Sequence, residues 1–243
     1  MRVLVLSDIH GNVSAFEAAM ADISSHGGFD TVLLLGDYID YGMRSNDIVS
    51  MLAGLDKPVL AAIWGNHEHA VVKQDYRHFS SERGVKSAMN TRAHLSSESM
   101  SWLEKACIHE GLASFELEGM KALAVHGSLT DPLWKAITPA PADQLSDYAQ
   151  YDVVFSGHNH IPHAFSVFHK VDDPAMRNKK RTLFVNPGSV GQPRNHDPRA
   201  HYAIFDTDQG ISLMTCDYNI AYEQSLFVGD VDDFYRDRLT QGV

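Results

Sequence analysis

The chain is poor in cysteine. Cys107 and Cys216 are the only two among 243 residues, too few for the disulfide framework of a small secreted domain, and both read as ordinary packing positions. Long apolar runs are missing too, since none approaches the roughly 18 residues of a membrane-spanning helix. The opening segment, Met1-Arg2-Val3-Leu4-Val5-Leu6-Ser7-Asp8, enters a strand pattern at once. It leaves no room for a signal peptide, so a cytoplasmic location is expected. Positive charge is scarce: 20 Lys and Arg stand against 31 Asp and Glu, for a net charge of −11. Attachment to membrane surfaces and broad nucleic-acid binding are therefore not expected. Internal repeats and low-complexity tracts are absent, and a 44% hydrophobic content over this length suffices for one sizeable core. A single catalytic domain over residues 1–243 is expected; composition leaves its oligomeric state open.

Histidine and carboxylate chemistry is what the chain does have. Five separated segments carry it: Asp8-Ile9-His10, Gly36-Asp37, Gly65-Asn66-His67-Glu68, Val125-His126-Gly127 and Gly157-His158-Asn159-His160. Each follows an apolar run, such as Thr31-Val32-Leu33-Leu34-Leu35 before Gly36 and Val59-Leu60-Ala61-Ala62-Ile63 before the third segment. Parallel strands that end together would gather these side chains along one edge, where α/β sheets commonly bind ligands. Asp8 and His10, two apart in an extended segment, would lean to one side and hold one ion together. Carboxylate oxygens, an amide oxygen and imidazoles without thiolates suit divalent Mn, Fe or Zn better than calcium. Any one segment alone is equally a strand end with a turn residue. Nine of the 14 histidines, His26, His69, His78, His94, His109, His163, His169, His196 and His201, fall outside the segments. Among them His163, three residues past the last segment, is the one placed to border a pocket.

Taken together and in order, DxH, GDxxD, GNH(D/E), His before Gly, and GHxH, the segments resemble the signature of the calcineurin-like metallophosphoesterase superfamily, over residues 3 to about 206. The resemblance implies Asp8, His10 and His160 on one metal, Asn66, His126 and His158 on the other, and Asp37 bridging the two. It puts His67 where the family has its general acid, and it implies a four-layer αββα sandwich of two mixed sheets flanked by helices. Pattern alone gives only α/β. Two cations about 3.5–4 Å apart can orient phosphoryl oxygens and activate water, so no Ser or Cys nucleophile is required. Manganese is the favoured ion, with Fe, Zn, Ni or Co as alternatives. A carboxylate beside His67 would hold it protonated; Asp40 is the candidate, and a turn-forming aspartate is the alternative.

The coarse element pattern places a helix from an Asn12 cap to about Ser25, another from Ser45 or Asn46, and mostly helix over 67–107, with Ser96 or Ser97 as a cap. That helical stretch either overhangs the site and selects substrate or is a packing layer. Strands are expected near 112–118, 121–126, 152–156, 163–168, 182–186, 201–206 and 210–216, with a helix near 143–149.

Several features bear on substrate, expected to be a small anionic phosphate compound. Tyr41 stands where the similar phosphoprotein phosphatases carry a phosphate-gripping arginine, and a phenol is no substitute for a bidentate donor. Arg44 is either that missing arginine or a solvated helix-start residue. Ser189 and Arg194, in Asn186-Pro187-Gly188-Ser189-Val190-Gly191-Gln192-Pro193-Arg194, are candidate phosphate ligands in a loop resembling that of small bacterial and archaeal phosphoesterases, including the group related to symmetrical diadenosine tetraphosphate hydrolases; a loop that only shapes the strand connection is the alternative. Residues 170–181 carry five basic side chains, either a solvated hairpin tip or a polyphosphate contact. The acidic run Gly229–Phe234 is either a disordered end or a contact surface. Dinucleoside polyphosphate hydrolysis ranks first, phosphodiester cleavage second and protein dephosphorylation third. A non-catalytic protein-binding scaffold is the alternative from another class.

Overall fold

The computed structural model describes residues 1–229 and 231–243, so Asp230, within the acidic run, lies outside the described residues. Strand β1, Arg2–Leu6, is apolar on both faces after its first residue, as a parallel strand buried on both sides must be. Leu4 and Leu6 meet helices, whereas Val3 and Val5 meet a second sheet. Helix α1 (Val13–Ser25) follows, then β2 (Thr31–Leu34), α2 (Ser45–Ala53), β3 (Val59–Ala62), α3 (Asn66–Lys73), α4 (Glu82–His94) and α5 (Ser97–Ala106). Asn12 caps α1 by accepting from the Ala15 amide, and Ser96 caps α5 through the Ser99 amide.

The remaining elements are β4 (Leu112–Leu117), β5 (Met120–Val125), β6 (Val153–Ser156), β7 (His163–Lys170), β8 (Lys179–Asn186), β9 (Ala200–Asp206), β10 (Gly210–Cys216), α6 (Ile220–Ser225) and α7 (Asp233–Asp237). The first sheet has the order β10-β9-β1-β2-β3 and the second β4-β5-β6-β8-β7. Each has three parallel strands and antiparallel partners: β9 and β10 on one, β4 and β7 on the other. Val3, Val5 and Leu33 pack against Ala122, Val153 and Phe155 between the sheets. Helices cover the far side of the first sheet. The far side of the second is covered by Ile137, Leu145, Tyr148 and Tyr151. In that layer the helix expected over 143–149 is a single 3-10 turn, Ser146–Tyr148. The α/β sandwich of two mixed sheets is thus present, and among the described residues no helix is long and apolar enough to cross a membrane.

The basic hairpin does not reach the strand ends that carry the motifs. His163 pairs with Asn186, whose Nδ2 donates to the Gly157 carbonyl at 2.8 Å, so that end of the β7–β8 ribbon adjoins the fifth segment. Lys170 pairs with Lys179 at the other end, roughly 24 Å away at about 3.4 Å per residue. The tip is a solvated hairpin, and Lys180 is engaged by Asp152 at 3.5 Å.

Two loops are joined by one buried carboxylate. Glu68 accepts from the Gly65 and Asp37 amides at 2.8 Å each through Oε2, and from the Tyr38 and Ile39 amides at 2.8 and 3.2 Å through Oε1. Glycine is required where these loops cross, since a Cβ on Gly65 would lie 2.0 Å from Asp37 Oδ1. Replacing Glu68 by Gln turns an NH2 group toward two of the amides. A loss of about 2–6 kcal/mol in urea unfolding is expected, at about 1–3 kcal/mol for each unsatisfied buried group; an unchanged midpoint would remove Glu68 from this role.

Candidate metal centre

The C-terminal ends of β1, β2, β3, β5 and β6 bring the five segments to one rim. Asp8, His10, Asp37 and His160 form one group and Asp37, His126 and His158 a second, the ligand atoms of each lying within 4.8 Å of one another. Asp37 belongs to both. Asn66 Oδ1 lies 2.9 Å from His158 Nδ1 and 3.0 Å from His126 Nε2, inside the second group. Asp8 and His10 do not converge by extended alternation. Their φ angles are 54° and 48°, and Asp37, Asp40, Tyr41, His158 and His160 also have positive φ. Left-handed backbone folds each loop tightly enough to turn successive side chains inward, at about 1–3 kcal/mol for each such residue; Asp and His tolerate it better than most.

Hydrogen bonds fix which nitrogen each imidazole presents. His10 Nδ1 donates to the Ile39 carbonyl at 3.1 Å, His126 Nδ1 to that of Leu35 at 2.8 Å and His160 Nδ1 to that of Gln192 at 2.5 Å. His158 is reversed, giving Nε2–H to the Trp134 carbonyl at 3.1 Å and presenting Nδ1. A carbonyl on the far nitrogen fixes the tautomer and leaves the near lone pair for a metal. The Nε2 atoms of His10 and His160 then face each other at 3.4 Å, and Asp8 Oδ1 beside them is buried without a hydrogen-bond partner. Facing lone pairs and an orphaned carboxylate oxygen fit a divalent cation.

For three of the four ligand imidazoles protonation agrees with this donor set; at His126 burial opposes the charged form, but Asp37 and the hydrogen bond to it raise the ring to about 9, so it would release a proton on binding a metal. Burial, followed by neighbouring positive charge, holds His10 and His160 well below the usual imidazole value and brings His158 down to about 4. Neutral imidazole is the ligand form. Burial, with Asp37 nearby, raises Asp8 to about 7. For Asp37 burial opposes ionisation, yet His126, His67 and His10 hold it well below the carboxylate range. Burial would lower His67, but Asp37 and the hydrogen bond to Asp40 raise it.

The site opens into a cavity of about 330 Å³ lined by Asp37, Asn66, His67, Arg194 and, on one wall, His78, Phe79 and Trp134. His67 Nδ1 meets Asp40 Oδ2 at 2.6 Å. Asp40 Oδ1 accepts from Ser87 at 2.6 Å, Thr91 at 2.8 Å and the Tyr41 amide at 2.8 Å. The dyad is therefore anchored on α4. Two expected substrate residues lie elsewhere. Arg44 is bound by the buried carboxylate of Glu223 on α6 and by Ser14 Oγ, so it neither replaces the arginine absent at Tyr41 nor sits free in solvent. Ser189 is fully buried; it donates to the Asp8 carbonyl at 2.7 Å and accepts from the Gln192 amide at 2.8 Å. It braces the first loop and faces no phosphate. His163 stacks on Phe165 and is not part of the cavity wall.

Residues that the motifs did not reveal complete the wall. His78 stacks on Trp134 with ring centres 5.2 Å apart, and Phe79 meets both Trp134 and His67 edge to face. Trp134 follows His126-Gly127 in a proline-containing loop, and that position is the one sequence signal for it. The acidic run is ordered at its end: Asp232 caps α7, and Tyr235 stacks on Tyr41 at 4.2 Å. A separate cavity of about 370 Å³ beside Asn46, Asn90 and His94 holds no such ligand group.

Comparison with known proteins agrees with the geometry. Residues 1–210 match the model of the calcineurin-like phosphoesterase superfamily domain. The chain is 29% identical over 231 residues to the uncharacterised protein MJ0912 of Methanocaldococcus jannaschii, covering 91% of this chain and 90% of that one. It is similar to the crystal structure of a metallophosphoesterase from Sphaerobacter thermophilus, at 28% identity and a TM-score of 0.76, with 100% and 99% of the two chains covered. The hypothetical protein PH1004 of Pyrococcus horikoshii shares the fold, with a TM-score of 0.79 at 16% identity and coverage of 100% and 98%.

Because Asp37 belongs to both groups, its replacement by Ala is expected to lower the divalent metal bound per chain by about half or more. Elemental analysis after gel filtration measures this. Full occupancy in the variant would remove Asp37 as the shared ligand.

Proposed function

Since the chain belongs to the calcineurin-like phosphoesterase superfamily and is a metal-dependent phosphoesterase, we propose that it hydrolyses small nucleotides or dinucleoside polyphosphates with two divalent ions, manganese being favoured. One observation carries this reading: two ligand groups share Asp37, and His67 stands in the same cavity. When bound, two such ions polarise the phosphoryl group and activate water.

The side chains account for the rest of the chemistry. Asp8, His10, Asp37 and His160 would hold the first ion, and Asp37, Asn66, His126 and His158 the second. His67 keeps its Nδ1–H on Asp40 at 2.6 Å and turns Nε2 toward the cavity, 4.0 Å from Asp37 Oδ2. In its protonated form it gives a proton to the departing oxygen, and Asp40 preserves that form until transfer. Ser87 and Thr91 keep Asp40 from rotating away. Arg194, on the cavity wall, pairs with phosphate oxygens. His78, Phe79 and Trp134 offer aromatic surface to a base on one side of the scissile bond, a contact worth about 1–3 kcal/mol for each stacked base.

Turnover of diadenosine tetraphosphate beside bis-p-nitrophenyl phosphate, with the Asp37→Ala variant as blank, tests the class of substrate. Cleavage of the diester alone would replace the nucleotide reading by a phosphodiesterase. Replacing His67 by Ala is expected to lower kcat for alkyl leaving groups by about 10²–10⁴, with a much smaller loss for p-nitrophenolate; equal losses would argue against proton donation. Trp134→Ala is expected to raise KM for a nucleotide about tenfold and to leave KM for glycerol phosphate nearly unchanged, which steady-state kinetics on the two substrates resolves.

A further inference from the structure

Arg238 follows α7, beyond the residues that match the family model. It is 6% exposed. Its Nε donates to Gln192 Oε1 at 2.5 Å, while one terminal nitrogen, Nη2, is buried with no hydrogen-bond partner. Among the described residues no carboxylate lies within salt-bridge distance of it. Its guanidinium carbon lies 4.9, 5.1 and 5.4 Å from the ring centres of Tyr41, Tyr235 and Phe234. Cation–π contact compensates only part of the hydration lost by a buried charge.

The nearby charges make its position costlier. Burial, then Arg194, brings Arg238 down to about 10, so the two guanidiniums repel each other. Arg194 has no ion-pair partner either among the described residues, and its side chain lines the metal cavity. Tyr41, which lines the same cavity, meets His10 at a tilt with ring centres 4.6 Å apart and His67 edge to face at 4.4 Å. Arg238 therefore lies directly behind the wall beside the metal ligands, and its charge is felt at His10 and His160. Two adjacent cations without counter-ions, in a chain with a net charge of −11, form a site that an anion would complete.

We propose that Arg194 and Arg238 form a second anion subsite next to the metals, which takes a phosphate of the substrate other than the one being cleaved. The proposal rests on the phosphoesterase reading and narrows it to substrates with at least two linked phosphates. Arg194 makes the direct contact at the wall. Arg238 reinforces the potential from behind Tyr41.

Isothermal titration of manganese-loaded protein with methylenebisphosphonate and with methylphosphonate tests this. Wild type is expected to bind the bisphosphonate at least tenfold more tightly, and Arg238→Gln and Arg194→Gln are each expected to reduce that ratio at least fivefold. A structural role for Arg238, through Gln192 and the C-terminal segment, would weaken both ligands equally and leave the ratio unchanged, which overturns the proposal. Arg194→Gln, at a half-buried loop position, carries the same expectation should Arg238→Gln fail to fold. Assay of the wild type on both diadenosine tetraphosphate and bis-p-nitrophenyl phosphate separates the two levels. No turnover sinks the phosphoesterase reading, whereas an active enzyme with unchanged ratios sinks only the subsite.

Discussion

The Glu68 carboxylate is the constraint on which the site depends. It sits one residue after His67 and two after Asn66, and it binds the amides of Asp37, Tyr38 and Ile39 from the neighbouring strand's loop. Three chemical positions are thereby fixed by one side chain that meets no substrate. Burial and the nearby Asp37 push its carboxyl up to about 7, while the amide donors pull the other way. Buried, it has no water to turn to, so a charged acceptor for these backbone donors is secured only by the fold around it. The glycines at 36 and 65 follow from the same crossing: a Cβ on Gly36 would lie 2.3 Å from the Gly65 nitrogen.

Backbone carbonyls have a comparable part in orienting the imidazoles. Those of Ile39, Leu35, Gln192 and Trp134 each hold the far nitrogen of one ligand histidine. A carbonyl carries no formal charge, so it fixes the tautomer without protonating the ring, as a second carboxylate would tend to do. His67 is the contrast, because its partner is the carboxylate of Asp40 and its imidazolium is favoured. At His10, His158 and His160 ligand and proton donor are thus separated by the type of oxygen behind each ring, whereas His126, with Nε2 3.3 Å from Asp37 Oδ2, is raised as well and would give up its proton on binding a metal.

What was legible in the sequence follows from how far apart in the chain the cooperating groups lie. Strands β1, β2 and β3 announce themselves as apolar runs ending in Gly, Asp, Asn or His, because the strand and its ligand are contiguous. The Asp40 partnership with His67 was legible for the same reason, each lying within a few residues of a ligand. Arg44 and Ser189 stayed open in the sequence because their partners, Glu223 and the Asp8 carbonyl, are 179 and 181 residues away. No local pattern encodes such a pairing. The left-handed turns at Asp8 and His10 were hidden as well, since alternation in an extended strand would also have brought the two side chains to one face. The basic hairpin was ambiguous until strand pairing fixed its direction, with Lys170 opposite Lys179 at the end remote from Gly157.

The net charge of −11 opposes an anionic substrate only at long range, and screening makes it a poor guide to the cavity. At physiological ionic strength charges farther than about 8 Å are largely screened, so the local inventory governs binding. That inventory contains four carboxylates, Asp8, Asp37, Asp40 and Glu68, against two divalent ions when bound and the raised His67, with imidazoles at His10, His158 and His160 held neutral by burial. Arg194 and Arg238 add to the same side of the balance. The cavity is therefore cationic within an acidic protein. Its remaining wall, formed by His78, Phe79 and Trp134, is aromatic. A ligand that satisfies both walls needs concentrated negative charge at one end and a flat apolar face at the other. Nucleotides with more than one phosphate have that form, whereas a phosphorylated side chain has the charge without the face.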